Sequence, residues 1–202
     1  MKLVVMTQPT FFVEEDKILT SLFEEGLESL HLYKPGASPM YSERLLTLLD
    51  SECCSRITVY DNFYLKDEFK LRGIHIDDET TPPPAGYKGH LSRTVTHIEQ
   101  LKEAKRHVDY VILKYICDSQ TEPDMKALFT QQELKEASRR GLIDKHVYAL
   151  GGMNLDNVRM AKDLGFGGIV ISGDLWNRFN IHQELDYQEL LDHFVKIRKA
   201  IG

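Results

Sequence analysis

Residues 145–172, KHVYALGGMNLDNVRMAKDLGFGGIVIS, decide the fold. Lys145 to Leu150 is a short apolar run of strand type, and Gly168 to Ser172 (GIVIS) is another. Between them, Asn154 to Leu164 has helical spacing, with Asn154 suited to cap its start and Gly165 to close its end. A strand–helix–strand unit of this length joins two parallel strands by a right-handed crossover. GIVIS is apolar on both faces, as a strand covered on both sides must be.

The same alternation runs outward in both directions. Strands are predicted at Leu3–Met6, Ser29–Tyr33, Arg56–Tyr60, Gly73–Ile76 and Asp109–Lys114 (DYVILK), with a weaker one at Lys88–Arg93. Helical stretches separate them: Glu15–Glu25, closed by Gly26, then Tyr41–Leu49, Tyr64–Leu71, His97–His107, Gln131–Arg140 and, last, Tyr187–Ile201. Asp77–Gly89, with three successive prolines, reads as a loop, as does the polar Tyr115–Met125. Eight strand units predict a single-domain (β/α)₈ TIM barrel of the α/β class over residues 1–202. An open doubly wound sheet is the alternative, because the Lys88–Arg93 pattern is weak.

Composition narrows the function. The chain has 202 residues, 42% hydrophobic and 28% charged, and 25 basic against 31 acidic residues give a net charge of −6. That balance excludes a general nucleic-acid binder and a polybasic membrane-surface protein. No apolar run approaches the roughly 20 residues of a bilayer span. Three cysteines, two of them the adjacent Cys53 and Cys54, do not make a disulfide framework. Met1–Met6 reads poorly as a signal peptide, and the expected location is cytoplasmic. A barrel of this fold typically needs about 250 residues, so the loops here must be lean.

In such a barrel, chemistry sits at the C-terminal ends of the strands. The candidates there are Lys34, Asp61, the run Asp77-Asp78-Glu79, Arg93, Lys114 with Tyr115, Gly151-Gly152 and Ser172-Gly173. Gly151-Gly152, between a strand and a helix start, lets backbone N–H groups approach a phosphate closely. Ser172 adds a hydroxyl one strand further on, and the two turns in this order favour phosphate binding over two ordinary turns. Asp61 with the acidic run offers oxygen ligands for Mg²⁺, although Asp61-Asn62 also suits a turn and the run a solvated loop. His31 and His75 fall within strands, where packing is the commoner role. Cys117 has no activating base nearby in sequence.

Four segments in order, GIH at Gly73–His75, DYVILKYI from Asp109, ALGGMN from Ala149 and GFGGIVIS from Gly165, resemble the thiamine phosphate synthase/TenI superfamily. Its segments read roughly GVH, ADYV-x-x-G-x-(V/I)-F, AIGG(I/M) and GA-x-G(I/V)A(V/I)-x-S. The resemblance implies the same barrel and a Mg²⁺-dependent transferase that joins a hydroxymethylpyrimidine pyrophosphate to a thiazole phosphate and releases pyrophosphate. It implies that Gly151, Gly152 and Ser172 anchor the thiazole phosphate and that Asp61 holds the metal. Where the superfamily has Q-x-R-x-K after the second strand, this chain has His31, Tyr33 and Pro35, with Lys34 displaced by one. Lys34 is therefore expected to neutralise pyrophosphate as the catalytic cation, and His31, Tyr33 and Lys114 to contact substrate. The aspartate of GVH-x-G-Q-x-D falls on Thr80, so Glu79 or Asp78 is expected to complete the metal set. The Thr-x-Thr-Lys loop appears as Ser119-Gln120-Thr121-Glu122, with the charge reversed at its end, which implies a divergent site. The TenI histidine aligns with Tyr115. A TenI-like tautomerase and a non-catalytic barrel that binds a phosphorylated metabolite are the alternatives. The expected partners are small phosphorylated heterocycles, and homo-oligomer formation stays open.

Overall fold

The computed structural model describes residues 1–122, 124–180 and 187–202. Its strands are β1 (Lys2–Met6), β2 (Ser29–Leu32), β3 (Ile57–Val59), β4 (Gly73–Ile76), β5 (His90–Val95), β6 (Tyr110–Leu113), β7 (Val147–Leu150) and β8 (Gly168–Ile171). All pair in parallel and in chain order. The last closes on the first, with Lys2 opposite Gly168 and Val4 opposite Val170. This is the closed (β/α)₈ barrel that the alternation predicts, and the open sheet is excluded. The helices are α1 (Glu15–Glu24), α2 (Pro39–Leu48), α3 (Ser51–Cys54), α4 (Tyr64–Glu68), α5 (Leu101–Ala104), α6 (Gln131–Arg139), α7 (Val158–Asp163), α8 (Gly173–Trp176) and α9 (Gln188–Ile201). Among the described residues, no helix is long and apolar enough to cross a membrane.

The short helices α3 and α8 add to the expected set, the bounds of α2 and α4 shift by a few residues, and three further elements differ for a local reason. The fifth strand starts at His90 rather than Lys88, because the Tyr87 ring folds back and its hydroxyl donates to the His90 carbonyl (2.9 Å). The helix expected over His97–His107 is reduced to a 3₁₀ turn at Ile98–Gln100 followed by α5. Of residues 98–104 only Ile98 and Leu101 are buried, too little apolar surface to hold further turns. The helix expected from Asn154 begins at Val158. The Asn154 side chain instead accepts from the N–H groups of Asp156 (3.0 Å) and Asn157 (3.2 Å), a local turn that competes with helix.

Side chains alternate strictly across the barrel wall, as a strand's period of two requires. Leu3, Val5, Leu30, Leu32, Ile57, Val59, Val111 and Leu113 face outward into the apolar layer beneath the helices. Ile18, Leu22, Phe194 and Ile197 meet them there from α1 and α9, each fully buried and contributing about 1.5–3 kcal/mol. The alternate positions fill the barrel. Val4, Met6, Tyr60, Tyr110, Ile112 and Val170 form a second, inner cluster.

That interior also carries polar groups, and two of its histidines are fully engaged while Ser29 Oγ, Thr58 Oγ1 and His90 Nδ1 are buried without a partner among the described residues. His31 bonds through Nδ1 to the Tyr60 hydroxyl (2.9 Å) and through Nε2 to the Tyr110 hydroxyl. His75 bonds to the hydroxyls of Ser92 and Thr94, both at 2.8 Å. Burial, and then the nearby His75, hold the His31 imidazole well below the usual histidine pKa. Burial lowers His75 too, against the opposing pull of Asp77. Both rings are therefore neutral in the folded chain, while the unfolded chain takes up protons below about pH 6.5. Stability is fully present above that pH and is lost as pH falls, by up to about 1.4 kcal/mol per pH unit for each ring. Urea titrations of wild type and His31→Gln between pH 7.5 and 5.5 check this. The variant should lose about one proton's worth of slope; equal slopes would contradict the buried neutral assignment.

Candidate functional site

A cavity of about 360 Å³ opens at the C-terminal ends of the strands, which is where this architecture places its chemistry. The loop from Thr7 to Thr10 after β1 forms one part of its rim, the loop after β8 lies beside it, and the loops after β7 and β6 continue the wall from there. Trp176 of α8 ties the β8 and β1 sides together, its indole N–H donating to the Met6 carbonyl (2.8 Å).

The loop after β7 needs its two glycines. Gly151 has φ +105° and Gly152 φ +60°, a region that side-chain-bearing residues rarely adopt. A Cβ on Gly151 would lie 2.8 Å from the Tyr115 Cα, and one on Gly152 would collide with the Asp118 carbonyl oxygen. Asn157 braces this turn: its Nδ2 donates to the Gly152 carbonyl (2.9 Å) and its Oδ1 accepts from the Asn154 N–H (2.9 Å). Ser172 follows at the end of β8, and Gly173 packs where a Cβ would sit 2.8 Å from Thr121. The backbones of three successive loops thus converge on one end of the cavity.

Charged and phenolic groups occupy the rest of the lining. Asp77, two residues beyond His75 and on the same inward parity, comes from the end of β4; Lys114 comes from the end of β6. Burial pushes the Asp77 carboxyl up, but the nearby His75, its Nε2 3.8 Å from Oδ1, and the charge of Lys114 outweigh it and pull it below the usual range. Burial would likewise lower Lys114; Asp77 and the phenols of Tyr115 and Tyr33 prevail, and its ammonium is held above the ordinary value. Lys114 Nζ lies 5.2 Å from the Tyr115 ring centroid, within cation–π range, and Tyr115 itself has a positive φ of 67°. For a bulky residue that backbone conformation is strained, and strain of this kind gathers at functional sites. Tyr33 and Glu122 also line the cavity.

A family model described as thiamine monophosphate synthase matches residues 42–175. The chain belongs to the thiamine monophosphate synthase family. The crystal structure of a thiamine phosphate pyrophosphorylase from Bacteroides thetaiotaomicron is 46% identical, with a TM-score of 0.89 over 99% of this chain and 97% of that one. The thiamine phosphate pyrophosphorylase from Pyrococcus furiosus, 18% identical over 99% of this chain and 95% of that one, shares the fold at a TM-score of 0.76. A 3-hexulose-6-phosphate synthase is also a likeness of fold alone, 12% identical at a TM-score of 0.65 with both chains covered in full. No curated protein sequence matches the chain.

Of the residues expected from the sequence, the cavity brings together Tyr33, Lys114, Gly151, Gly152 and Ser172. Four others lie elsewhere. His31 is sealed inside the barrel by its two tyrosine hydroxyls and does not line the cavity. Lys34 follows the inward Tyr33 and so faces outward, where its ammonium meets Glu15 at 2.6 Å behind the wall. Glu79 turns away to accept from the Thr96 N–H (2.6 Å) and hydroxyl (2.9 Å). Burial notwithstanding, these bonds and His97 bring it down to about 2. Asp61 lies outside the lining, and burial and then the charge of Asp77 raise its pKa. Asp77 is thus the carboxylate of the acidic run on the cavity wall. Its inward parity with His75 is the signal that distinguishes it from Asp78, whose Oδ1 accepts from the N–H groups of Thr80 (2.7 Å) and Thr81 (2.6 Å).

The convergence on Gly152 and Ser172 makes a direct prediction for an anion probe. Gly152→Asp, which sets a carboxylate and a Cβ against the Asp118 carbonyl, should abolish calorimetric binding of inorganic phosphate. Ser172→Ala should weaken it about tenfold, the value of one hydrogen bond to a charged group. Wild-type affinity in both variants, with folding verified by circular dichroism, would place the phosphate elsewhere.

Proposed function

We propose that this chain is a thiamine phosphate synthase-type transferase, joining a hydroxymethylpyrimidine pyrophosphate to a thiazole phosphate with release of pyrophosphate. One observation carries the reading: a single cavity has a glycine-serine end suited to a phosphate and, on its other strand ends, a carboxylate–ammonium couple. Membership of the family and the 46% identical pyrophosphorylase support it.

Gly151, Gly152 and Ser172 hold the phosphate of the thiazole through backbone N–H groups and a hydroxyl, so an acidic chain can still bind an anion there. The ring then lies against the wall carrying Tyr33 and Tyr115. As the methylene C–O bond of the pyrimidine substrate breaks, its electron pair leaves with pyrophosphate; the thiazole nitrogen lone pair forms the new C–N bond. No proton transfer is needed. Lys114, held protonated by its neighbours, stabilises the charge that develops on the leaving group.

The chain's own donors fit Mg²⁺. Asp77 on the cavity wall would hold the ion together with substrate phosphates, the usual Mg²⁺ environment, while among the described residues no group of three or more carboxylates, histidines or cysteines makes a metal site by itself. Bound there, Mg²⁺ would supply neutralising charge for the pyrophosphate.

Glu122 favours a second reading. Its carboxylate lines the same cavity and repels a pyrophosphate, so a ligand with one phosphate is the easier guest. A TenI-like thiazole phosphate tautomerase, or a non-catalytic barrel that binds a phosphorylated metabolite, uses only the glycine-serine end.

Incubation of purified protein with both phosphorylated substrates and Mg²⁺ separates the two. The first reading expects pyrophosphate release, lowered roughly 10–100-fold in Asp77→Asn at saturating Mg²⁺. Thiazole phosphate binding without any release would overturn it in favour of the second.

A further inference from the structure

Lys34 has the chemistry of a substrate cation but not the position. Its side chain is only 3% exposed and that of its partner Glu15 only 1%. The ammonium donates to Glu15 Oε1 (2.6 Å) and to the Thr10 carbonyl (2.9 Å), and lies 4.4 Å from the centroid of the Phe11 ring. All three partners belong to the loop after β1 or the first turn of α1. That loop supplies Thr7, Gln8, Pro9 and Thr10 to the cavity wall. A second fastener sits on the cavity side, where Thr7 Oγ1 accepts from the Tyr33 N–H (3.0 Å) and donates to the Tyr33 carbonyl (3.1 Å). Residues 33 and 34, adjacent in sequence and opposite in parity, therefore grip the loop from its two sides.

Stability is a poor account of the buried pair. Removing two charges from water is costly, and apolar pairs of similar volume commonly replace such a bridge without loss. Here the cost is visible in the structure. Glu15 Oε2 is buried with no hydrogen-bond partner among the described residues. Burial raises the Glu15 pKa and lowers that of Lys34, each outweighing the partner's opposing charge. The loop also enters α1 through Glu14 at φ +67°, a conformation that a side-chain-bearing residue keeps only when its surroundings enforce it. What the pair fixes is a position.

We infer that Lys34 is a positioning residue: with Glu15 it clamps the loop after β1 against the end of β2 and so sets the cavity wall formed by Thr7, Gln8 and Thr10. The clamp rests on the proposed reading only in assigning the thiazole phosphate to this cavity.

The double variant Lys34→Met, Glu15→Met removes both charges at similar volume and leaves no lone buried carboxylate. Its melting temperature should stay within about 4 °C of wild type. Amide hydrogen exchange of Gln8 and of Thr10 to Val13 should accelerate about tenfold or more while the strands stay protected. Calorimetric affinity for thiazole phosphate should fall about tenfold, with that for inorganic phosphate unchanged, because the glycine-serine end is built from the loops after β7 and β8 and takes no donor from the clamped loop. Unchanged exchange in the loop would overturn the clamp. So would a general loss of protection across the barrel, which would make the pair a determinant of the whole fold. Loss of inorganic pyrophosphate binding with unchanged loop exchange would instead make Lys34 a direct substrate cation. If wild type binds no thiazole phosphate, the reading of the cavity fails, and the exchange measurement still decides the clamp.

Discussion

The ladder between β1 and β8 is the contact on which the rest of the molecule depends. Lys2 to Val5 lie opposite Gly168 to Ile171, and this pairing turns a sheet with two exposed edges into a cylinder with none. Closure gives every strand residue an inside or an outside. It also brings the loop after the first strand against the loops after the last two, although more than 140 residues separate them in the chain. The cavity exists because of that meeting. Trp176, bonded to the carbonyl of Met6 directly above the ladder, secures the junction from the β8 side, and the Lys34–Glu15 clamp secures it from the β2 side.

Inside the cylinder, His31 and His75 lie beneath the cavity. The histidines are neutral and fully engaged with tyrosine, serine and threonine hydroxyls, so they add no net charge to the core. One step further along β4, Asp77 reaches the cavity with His75 behind it, Nε2 3.8 Å from Oδ1. The imidazole is thereby placed to orient a carboxylate that also feels Lys114. Such a site can be acidic overall and still receive phosphate, because backbone groups on glycine turns can serve as its anion donors.

Much of this was legible in the residues. Apolar runs bounded by glycines announced the strands, and Gly151-Gly152 followed by Ser172 announced the convergent end, because those features rest on local backbone chemistry. The functional lysine was harder. Lys34 carries the right charge, but a displacement of one residue in a strand turns the side chain to the opposite face, and only the inward position of Tyr33 reveals it. Glu79 was misplaced for a different reason. Its carboxylate is satisfied by Thr96 and His97, partners 17 and 18 residues away that no spacing pattern brings together. Asp77 was legible as one of three acidic neighbours, and the alternation through His75 is what singles it out. The start of α7 was displaced by an asparagine that bonds its own backbone, the same property that makes asparagine a good cap.

On the proposed reading, this cavity seats a phosphorylated heterocycle with its phosphate between the loops after β7 and β8. A crystal structure of the chain with thiazole phosphate tests it most directly. The phosphate is expected on the backbone of Gly151 and Gly152 and the hydroxyl of Ser172, with the ring facing Tyr33 and Lys114. A phosphate bound away from those loops, or a ring outside the barrel mouth, would contradict it.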